Sequence, residues 1–298
     1  MTDVLTTNQL SKRYRKTLAL DNLSLSVPEG GVYALLGANG AGKTTALKLL
    51  MNLHPATSGH ATVLGIDSRK LQGEHFSQIG YVSENQDLPG WMTLQYLLNY
   101  LKAFYPTWSD ARAAELVQHF RLPLDRPIRQ FSRGMQMKAS LASSLCYEPR
   151  LLVLDEPFSG LDPLTREELI SALLDCGEKT SILVSSHDLA DIESFASHIG
   201  YLDQGKLEFS EELSSLTARF REMQVTLDEP GLPAPWPAHW LRPEASPAVV
   251  RFVETHFDAD RTMGEIRLLF RGVSHIEATP MSLRSIFVTL AQTSQAAA

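Results

Sequence analysis

The chain has 298 residues, enough for two domains, and its 44% hydrophobic and 20% charged content is that of an ordinary globular protein. A formal net charge of -7 argues against general nucleic-acid binding, which leaves a basic footprint. Two cysteines, Cys146 and Cys176, cannot make a disulfide framework and sit in no metal-type spacing, and no apolar run approaches the roughly 20 residues that span a bilayer. The start, Met1-Thr2-Asp3-Val4, lacks the basic and then apolar regions of a leader, so a reducing, cytoplasmic compartment is expected, with membrane association supplied by a partner or a surface.

Residues 3–31 read as short strands: Leu23, Leu25 and Val27 alternate with Ser24 and Ser26, a period of two, before a turn at Pro28-Glu29-Gly30-Gly31. Val32-Tyr33-Ala34-Leu35-Leu36 is a β-favouring run, and Ala46-Leu47-Lys48-Leu49-Leu50-Met51 is a helical pattern. Short strands follow at 61–64 and 79–82. Leu94, Leu97, Leu98 and Leu101 predict a helix over 93–104, and a second spans 109–120, capped by Ser109 or Asp110. Ser132 starts a third, running to about residue 147. The apolar strand at 151–154 ends in Asp155-Glu156, and Asp162-Pro163 caps and starts a helix. A strand at 181–186 leads to His187, and 199–209 reads as a hairpin turning at Gln204-Gly205. After Leu213 the composition changes. Pro230, Pro233, Pro235, Pro237, Pro243 and Pro247 crowd Trp236 and Trp240, which predicts a loop-rich stretch. A small α+β unit follows, with strands at 249–253 and 275–278 and helices at 262–270 and 282–292.

Between strand and helix lies Gly37-Ala38-Asn39-Gly40-Ala41-Gly42-Lys43-Thr44-Thr45, which fits G-x-x-x-x-G-K-[ST], the phosphate-binding loop, in the context that motif requires. Its glycines let backbone N–H groups turn toward an anion, the helix N-terminus adds partial positive charge, Lys43 reaches terminal phosphates and Thr44 offers a hydroxyl to Mg²⁺. Asp155 and Glu156 leave a strand at its C-terminal end, where ligands collect in an open α/β sheet. An acid there can hold Mg²⁺ and its neighbour can take a proton from water. His187 is a candidate for a γ-phosphate contact, against an ordinary structural histidine. Ser132-Arg133-Gly134-Met135 is a candidate anion-binding helix start, against an ordinary N-cap.

Taken in order, Tyr14, residues 37–45, Phe131-Ser132-Arg133-Gly134-Met135-Gln136, residues 151–156, Ser159-Gly160-Leu161-Asp162 and His187 resemble the ATP-binding subunit of an ABC transporter, of the export type with a small C-terminal extension. The resemblance covers about residues 3–212. It implies an α/β fold, an ABC-type P-loop ATPase cassette with a mixed sheet core, an antiparallel β subdomain and a helical insert at about 88–147, over residues 1–212. A small α+β C-terminal domain occupies 213–298, with a Pro-rich linker at about 228–247. It implies that Tyr14 stacks on adenine, that Ser132, Gly134 and Met135 belong to the signature closing over the γ-phosphate held by an opposite subunit, and that Asp155 holds Mg²⁺. Glu156 is then the general base, Asp162 lies in a loop crossing the dimer interface, and His187 is the γ-phosphate switch. ATP and Mg²⁺ are the implied cofactors; a second ATPase subunit, as a homodimer, and an integral membrane permease are the implied partners.

Three departures stand out, one of them the tail after Leu213, which is not part of the core cassette and resembles the small extension of some export-type subunits. The family signature is usually Leu-Ser-Gly-Gly-Gln, whereas Phe131, Arg133 and Met135 stand at its first, third and last places. The family normally has Gln where Glu84 stands, so Glu84 or Gln86 serves as the Mg²⁺-facing residue of that loop, Glu84 being preferred. The rival reading is a soluble ABC-type ATPase acting on ribosomes or chromosomes. Residues 45–130 carry no long heptad run for a chromosome-type coiled coil, and one cassette is present where ribosome-type proteins usually have two. A non-hydrolysing regulator is the third reading, opposed by the retention of Lys43, Asp155, Glu156 and His187. Trp91, Tyr96 and Tyr105 in the insert are candidate permease contacts, against packing within the insert.

Overall fold

The computed structural model describes residues 2–84, 87–228 and 236–296, in two compact units, Met1–Ser210 and Glu211–Ala298. In the first unit β1 (Asp3–Tyr14), β2 (Thr17–Leu23) and β3 (Ser26–Pro28) precede β4 (Val32–Leu36) and α1 (Lys43–Leu50). Next come β5 (Ser58–Val63), β6 (Ile66–Asp67), the single-turn α2 (Gly73–Phe76) and β7 (Ile79–Ser83). The insert contributes α3 (Leu94–Lys102), α4 (Asp110–His119) and α5 (Arg133–Leu145), whose caps Thr93, Ser109 and Ser132 each accept from an N–H three residues on. The core resumes with β8 (Leu151–Asp155), α6 (Pro163–Leu174), β9 (Ser181–Ser186), β10 (His198–Asp203) and β11 (Lys206–Glu212).

Six strands form the central sheet in the order β11-β10-β4-β9-β8-β7, with β10, β4, β9, β8 and β7 parallel. Parallel interior strands are covered on both faces, which is why Leu151 to Asp155 are all buried in one unbroken run. Register matters for function. Leu36 pairs with Ser186, Ser185 with Asp155, and Asp155 with Ser83, so four C-terminal strand ends lie side by side. The loops that follow them carry Gly37, His187, Glu156 and Glu84. A smaller antiparallel sheet runs β2-β1-β5-β6, with β3 also on β1. Its Leu5, Leu23 and Val63 share a hydrophobic core with Leu47 and Leu50 of α1 and with Leu151 and Val153 of β8.

The second unit has α7 (Leu213–Arg219), β12 (Arg221–Leu227), β13 (Trp240–Ala245), β14 (Val249–Glu254), α8 (Ala259–Leu269), β15 (Val273–Pro280) and α9 (Leu283–Ala296). The antiparallel sheet is ordered β13-β14-β12-β15. This corrects the sequence reading twice. β12 and α7 were not foreseen, although Met223, Val225 and Leu227 alternate with Gln224 and Thr226 and point into the core. Part of the proline-crowded stretch is strand: Trp240 is buried, stacked on Phe252 at 4.2 Å. β13 is an edge strand, where Pro243 removes no ladder bond that the sheet needs.

Candidate active site

Gly37 and Gly42 show why the loop after β4 needs glycine. A Cβ on Gly37 would lie 2.3 Å from the Leu202 carbonyl, and Gly42, at φ 111°, would bring one 2.5 Å from the Ala19 carbonyl. The loop is thus pressed against β10 and β2, and Lys43 and Thr44 open α1 from a fixed base. Lys43 is buried, 5% exposed. Its ammonium donates to the carbonyls of Gly37 (2.6 Å) and Ala38 (3.2 Å) and lies 3.0 Å from Glu156 Oε1. The last contact is an ion pair without hydrogen-bond alignment, since Oε1 has no well-aligned donor.

The two adjacent acids are handled differently. Asp155 ends β8, 3% exposed, and its Oδ1 accepts from the hydroxyls of Thr44 (3.0 Å) and Ser185 (2.7 Å). Glu156 has left the strand with φ 52°, in the left-handed region that residues other than glycine adopt uncommonly. Its N–H donates to Ser185 Oγ (3.0 Å), and its Oε2 is 2.7 Å from His187 Nδ1. Glu156 is therefore held between a lysine ammonium and an imidazole, with 12% of its side chain exposed against 43% for His187. Ser185 was not singled out from the sequence, yet it bonds both acids. Its signal is positional: it pairs with Asp155 across the parallel ladder, one residue before the strand's end.

Asn39, Gly40, Ala41 and Thr45 complete the loop and helix start. Gly40, at φ 84°, has open space where a Cβ would be. Tyr14 ends β1 beside β2, 39% exposed, with the Lys12 ammonium 4.8 Å from its ring centroid.

The remaining predicted residues form a second cluster. Ser132 caps α5, its hydroxyl accepting from the Met135 N–H at 3.2 Å, and Gly134 packs where a Cβ would be 3.2 Å from Thr165 Cγ2. Arg133 reaches from this helix start to the Glu84 carboxylate, which also accepts from Ser159 Oγ (2.9 Å). The Glu84 N–H meanwhile donates to the Asp155 carbonyl (2.9 Å), so its backbone sits beside the first cluster while its side chain serves the second. Gln86 lies outside the described residues. Asp162 accepts from the Thr165 N–H (3.0 Å) and hydroxyl (2.7 Å), which hold its carboxyl below the usual range. The chain thus joins Lys43, Thr44, Asp155, Glu156 and His187 in one site, and Glu84, Ser132, Gly134, Met135 and Asp162 in neighbouring segments with other bonds.

A hydrophobic groove of about 480 Å³ runs between the insert and the central sheet, lined in part by Leu53, Tyr81, Leu97, Tyr100 and Tyr105. Tyr105 stacks on Tyr147 at 3.8 Å, a packing contact. Trp91 and Tyr96, 69% and 54% exposed, face each other at 5.9 Å on the surface. Burial pushes the Cys146 thiol up to about 12, so it stays protonated and unreactive. No helix among the described residues is long and apolar enough to cross a membrane.

The family described as "ABC transporter" matches residues 20–159. The ABC transporter ATP-binding protein YtrB of Bacillus subtilis (strain 168) is 32% identical over 222 residues, 74% of this chain and 76% of that one. The bacitracin transport ATP-binding protein BcrA of Enterococcus faecalis is 33% identical over 225 residues, 74% of this chain and 72% of its own. A solved ATP-binding subunit of an ABC transporter superposes with a TM-score of 0.65 at 28% identity, covering 72% of this chain and 92% of that one. A dimeric, post-hydrolysis ATP-binding cassette bound to ADP and Pi shares the fold, with a TM-score of 0.62 at 24% identity, 70% of this chain and 98% of that one.

Proposed function

Since the chain belongs to the ABC transporter ATP-binding proteins and is the ATPase subunit of such a transporter, we propose that Glu156 is its general base and that Lys43, Thr44, Asp155 and His187 build the hydrolytic site around it. One observation carries this assignment: Glu156, with 12% of its side chain exposed, sits in a left-handed backbone conformation between Lys43 and His187, next to Asp155. Strain of this kind is kept where a side chain must be aimed.

The donor set fits Mg²⁺. Thr44 and Asp155 offer hard oxygens 3.0 Å apart, with the Asp155 carboxylate held by Ser185, which suits a cation that takes one or two protein oxygens and keeps several waters. When bound, Mg²⁺ would neutralise charge on the terminal phosphates. Lys43 trades the carbonyls of Gly37 and Ala38 for phosphate oxygens, and N–H groups of the loop and helix start, other than that of Ala41, which donates to the Ala38 carbonyl, line the same anion. Loss of Lys43 as its neighbour frees Glu156 Oε1 to accept the proton of an attacking water. His187 keeps Oε2 in place and presents its exposed ring to the γ-phosphate.

Ser132, Gly134 and Met135, grouped away from Lys43 in their own chain, act on the nucleotide of a second subunit, so ATP closes a head-to-tail dimer and hydrolysis reopens it. Tyr14 stacks on adenine. The partner in the membrane is a separate permease, whose cytoplasmic helices dock at the groove beside Tyr100 and the exposed Trp91 and Tyr96, placing the subunit on the inner membrane face. The C-terminal unit is a separate extension to the cassette, able to regulate or help dimerise it.

The test is Glu156→Gln. It is expected to lose ATP turnover by at least about 100-fold while retaining ATP and accumulating as a nucleotide-bound dimer by size-exclusion chromatography. Equal turnover in wild type and variant would remove Glu156 from the base role. Recovery from detergent extract of ribosomal or DNA-binding partners alone, without a membrane protein, would remove the permease.

A further inference from the structure

Glu254 lies in the core of the second unit with no solvent exposure. Its Oε1 accepts from the His256 N–H (2.7 Å) and its Oε2 from the Trp240 indole N–H (2.8 Å). These neutral donors fix the carboxylate but do not balance its charge. His239, in the turn before β13, places Nε2 3.7 Å from Glu254 Oε2 and 3.1 Å from Oε2 of Glu265 on α8. One ring nitrogen thus faces two carboxylates. A proton on Nε2 serves one acceptor, and an imidazolium with two carboxylates leaves one negative charge uncompensated. A divalent cation with a neutral imidazole and two carboxylates leaves none.

The spacing agrees with that account. Zinc–nitrogen and zinc–oxygen bonds of about 2.0–2.2 Å separate neighbouring ligands of a tetrahedron by about 3.4 Å. The contacts of 3.1 and 3.7 Å fall on either side, and all three donor atoms lie within 4.8 Å of one another. Trp240 and the His256 amide supply the outer hydrogen bonds that hold a ligating carboxylate in orientation. A cavity of about 630 Å³, lined by His239, Glu265, His256, Asp260 and Arg261, gives access. Arg261, the cation in that lining, donates to the His256 carbonyl.

We infer that His239, Glu254 and Glu265 form a binding site for a divalent transition cation, Zn²⁺ by donor class, with a fourth position left to water from the cavity. The ion ties three segments together: the turn before β13, the end of β14 and helix α8.

The test is titration of the untagged, chelator-stripped full-length chain with Zn²⁺ by calorimetry. Wild type is expected to bind one equivalent more than His239→Ala or Glu265→Gln, or to bind it at least tenfold more tightly, and Asp155→Asn is expected to keep that equivalent. Glu265 is partly exposed on α8, so Glu265→Gln keeps its fold by circular dichroism, and Zn²⁺ raises Tm in wild type but not in this variant. Equal Zn²⁺ stoichiometry and affinity in wild type, His239→Ala and Glu265→Gln would overturn the site, and so would a wild-type Tm that Zn²⁺ leaves unchanged.

Discussion

The guanidinium of Arg133 is bound to the carboxylate of Glu84, joining the first turn of α5 to the end of β7. Arg133 is one of the three residues at which the signature departs from the family pattern and Glu84 is where the glutamine loop departs, and these two departures compensate each other in charge. Gly160, at φ 66°, leaves room for the pair, since a Cβ there would lie 3.0 Å from Arg133 Nη1, and Ser159 donates to the same Glu84 oxygen. The ion pair and the Ser159 hydrogen bond thus connect three segments at the Glu84 carboxylate.

The pair is half exposed, so it adds only about 0–1 kcal/mol to stability, and its effect belongs in turnover. Arg133→Gly leaves an unbalanced carboxylate beside the phosphate site, and Glu84→Gln leaves an unpaired guanidinium at the signature. Each single change is expected to lower ATPase kcat about three- to tenfold, and the double variant to recover most of the loss. Effects that simply multiply in the double variant would show that the two residues act independently.

Ser185 bonds both Asp155 Oδ1 and the Glu156 N–H, so Ser185→Ala leaves one buried donor and one buried carboxylate short of a partner. The expected cost is about 1–3 kcal/mol of stability. The functional signature of a positioning role is a raised Mg²⁺ requirement together with about tenfold lower kcat, read from ATPase rates over a Mg²⁺ series. A Tm loss with an unchanged Mg²⁺ profile would make Ser185 a packing residue only.

Asp191 is buried, 4% exposed, and paired with Arg166 at 2.5 Å, yet burial outweighs the pairing and raises its carboxyl above the usual 3.8. The native state therefore holds more protons than the unfolded chain from about pH 3.8 up to that raised value, and in this window Asp191 makes stability fall as pH rises. Asp162 has the opposite sign: its lowered pKa contributes stability above 3.8 that is lost as pH falls through the folded value. Urea unfolding at several pH values above 3.8 is expected to show Asp191→Asn gaining on wild type as pH rises, whatever the constant offset from the lost Arg166 pair. A parallel pair of curves would deny Asp191 its shift.

Most of the cassette was legible because its local signals agree with its tertiary role. Leu151-Leu152-Val153-Leu154 is apolar on both faces because both faces are covered, and Asp162-Pro163 is a cap followed by N1 in sequence and in space. The second unit was read less well. Prolines dominated the view of the stretch around Trp240, and an edge strand, which tolerates Pro243, has no pattern that separates it from a loop. The acids of the site and their partners Lys43, Thr44 and His187 were visible as residues, but the contacts made by Ser185 and Arg133 were not. Ser185 and Arg133 meet them only through strand register and the approach of α5 to β7, which sequence spacing does not encode.

Gly42 offers the sharpest test of how far the phosphate loop depends on backbone geometry alone. Alanine there meets two penalties at once, a φ of 111° and a Cβ 2.5 Å from the Ala19 carbonyl, where backbone cannot give way as a side chain would. The loop can relieve the contact only by moving Lys43 and Thr44, the next residues of the chain, away from Glu156 and Asp155. Gly42→Ala is therefore expected to weaken ATP binding by at least about 100-fold, on the scale of what a 1 Å misplacement costs in turnover, because both phosphate and metal contacts shift together. Gly40→Ala, with φ 84° but open space at its Cβ, meets the strain alone and is expected to lose about tenfold or less. Fluorescent-nucleotide titration of the two variants separates the cases: equal losses would mean that the left-handed backbone, and not the contact with β2, sets the loop.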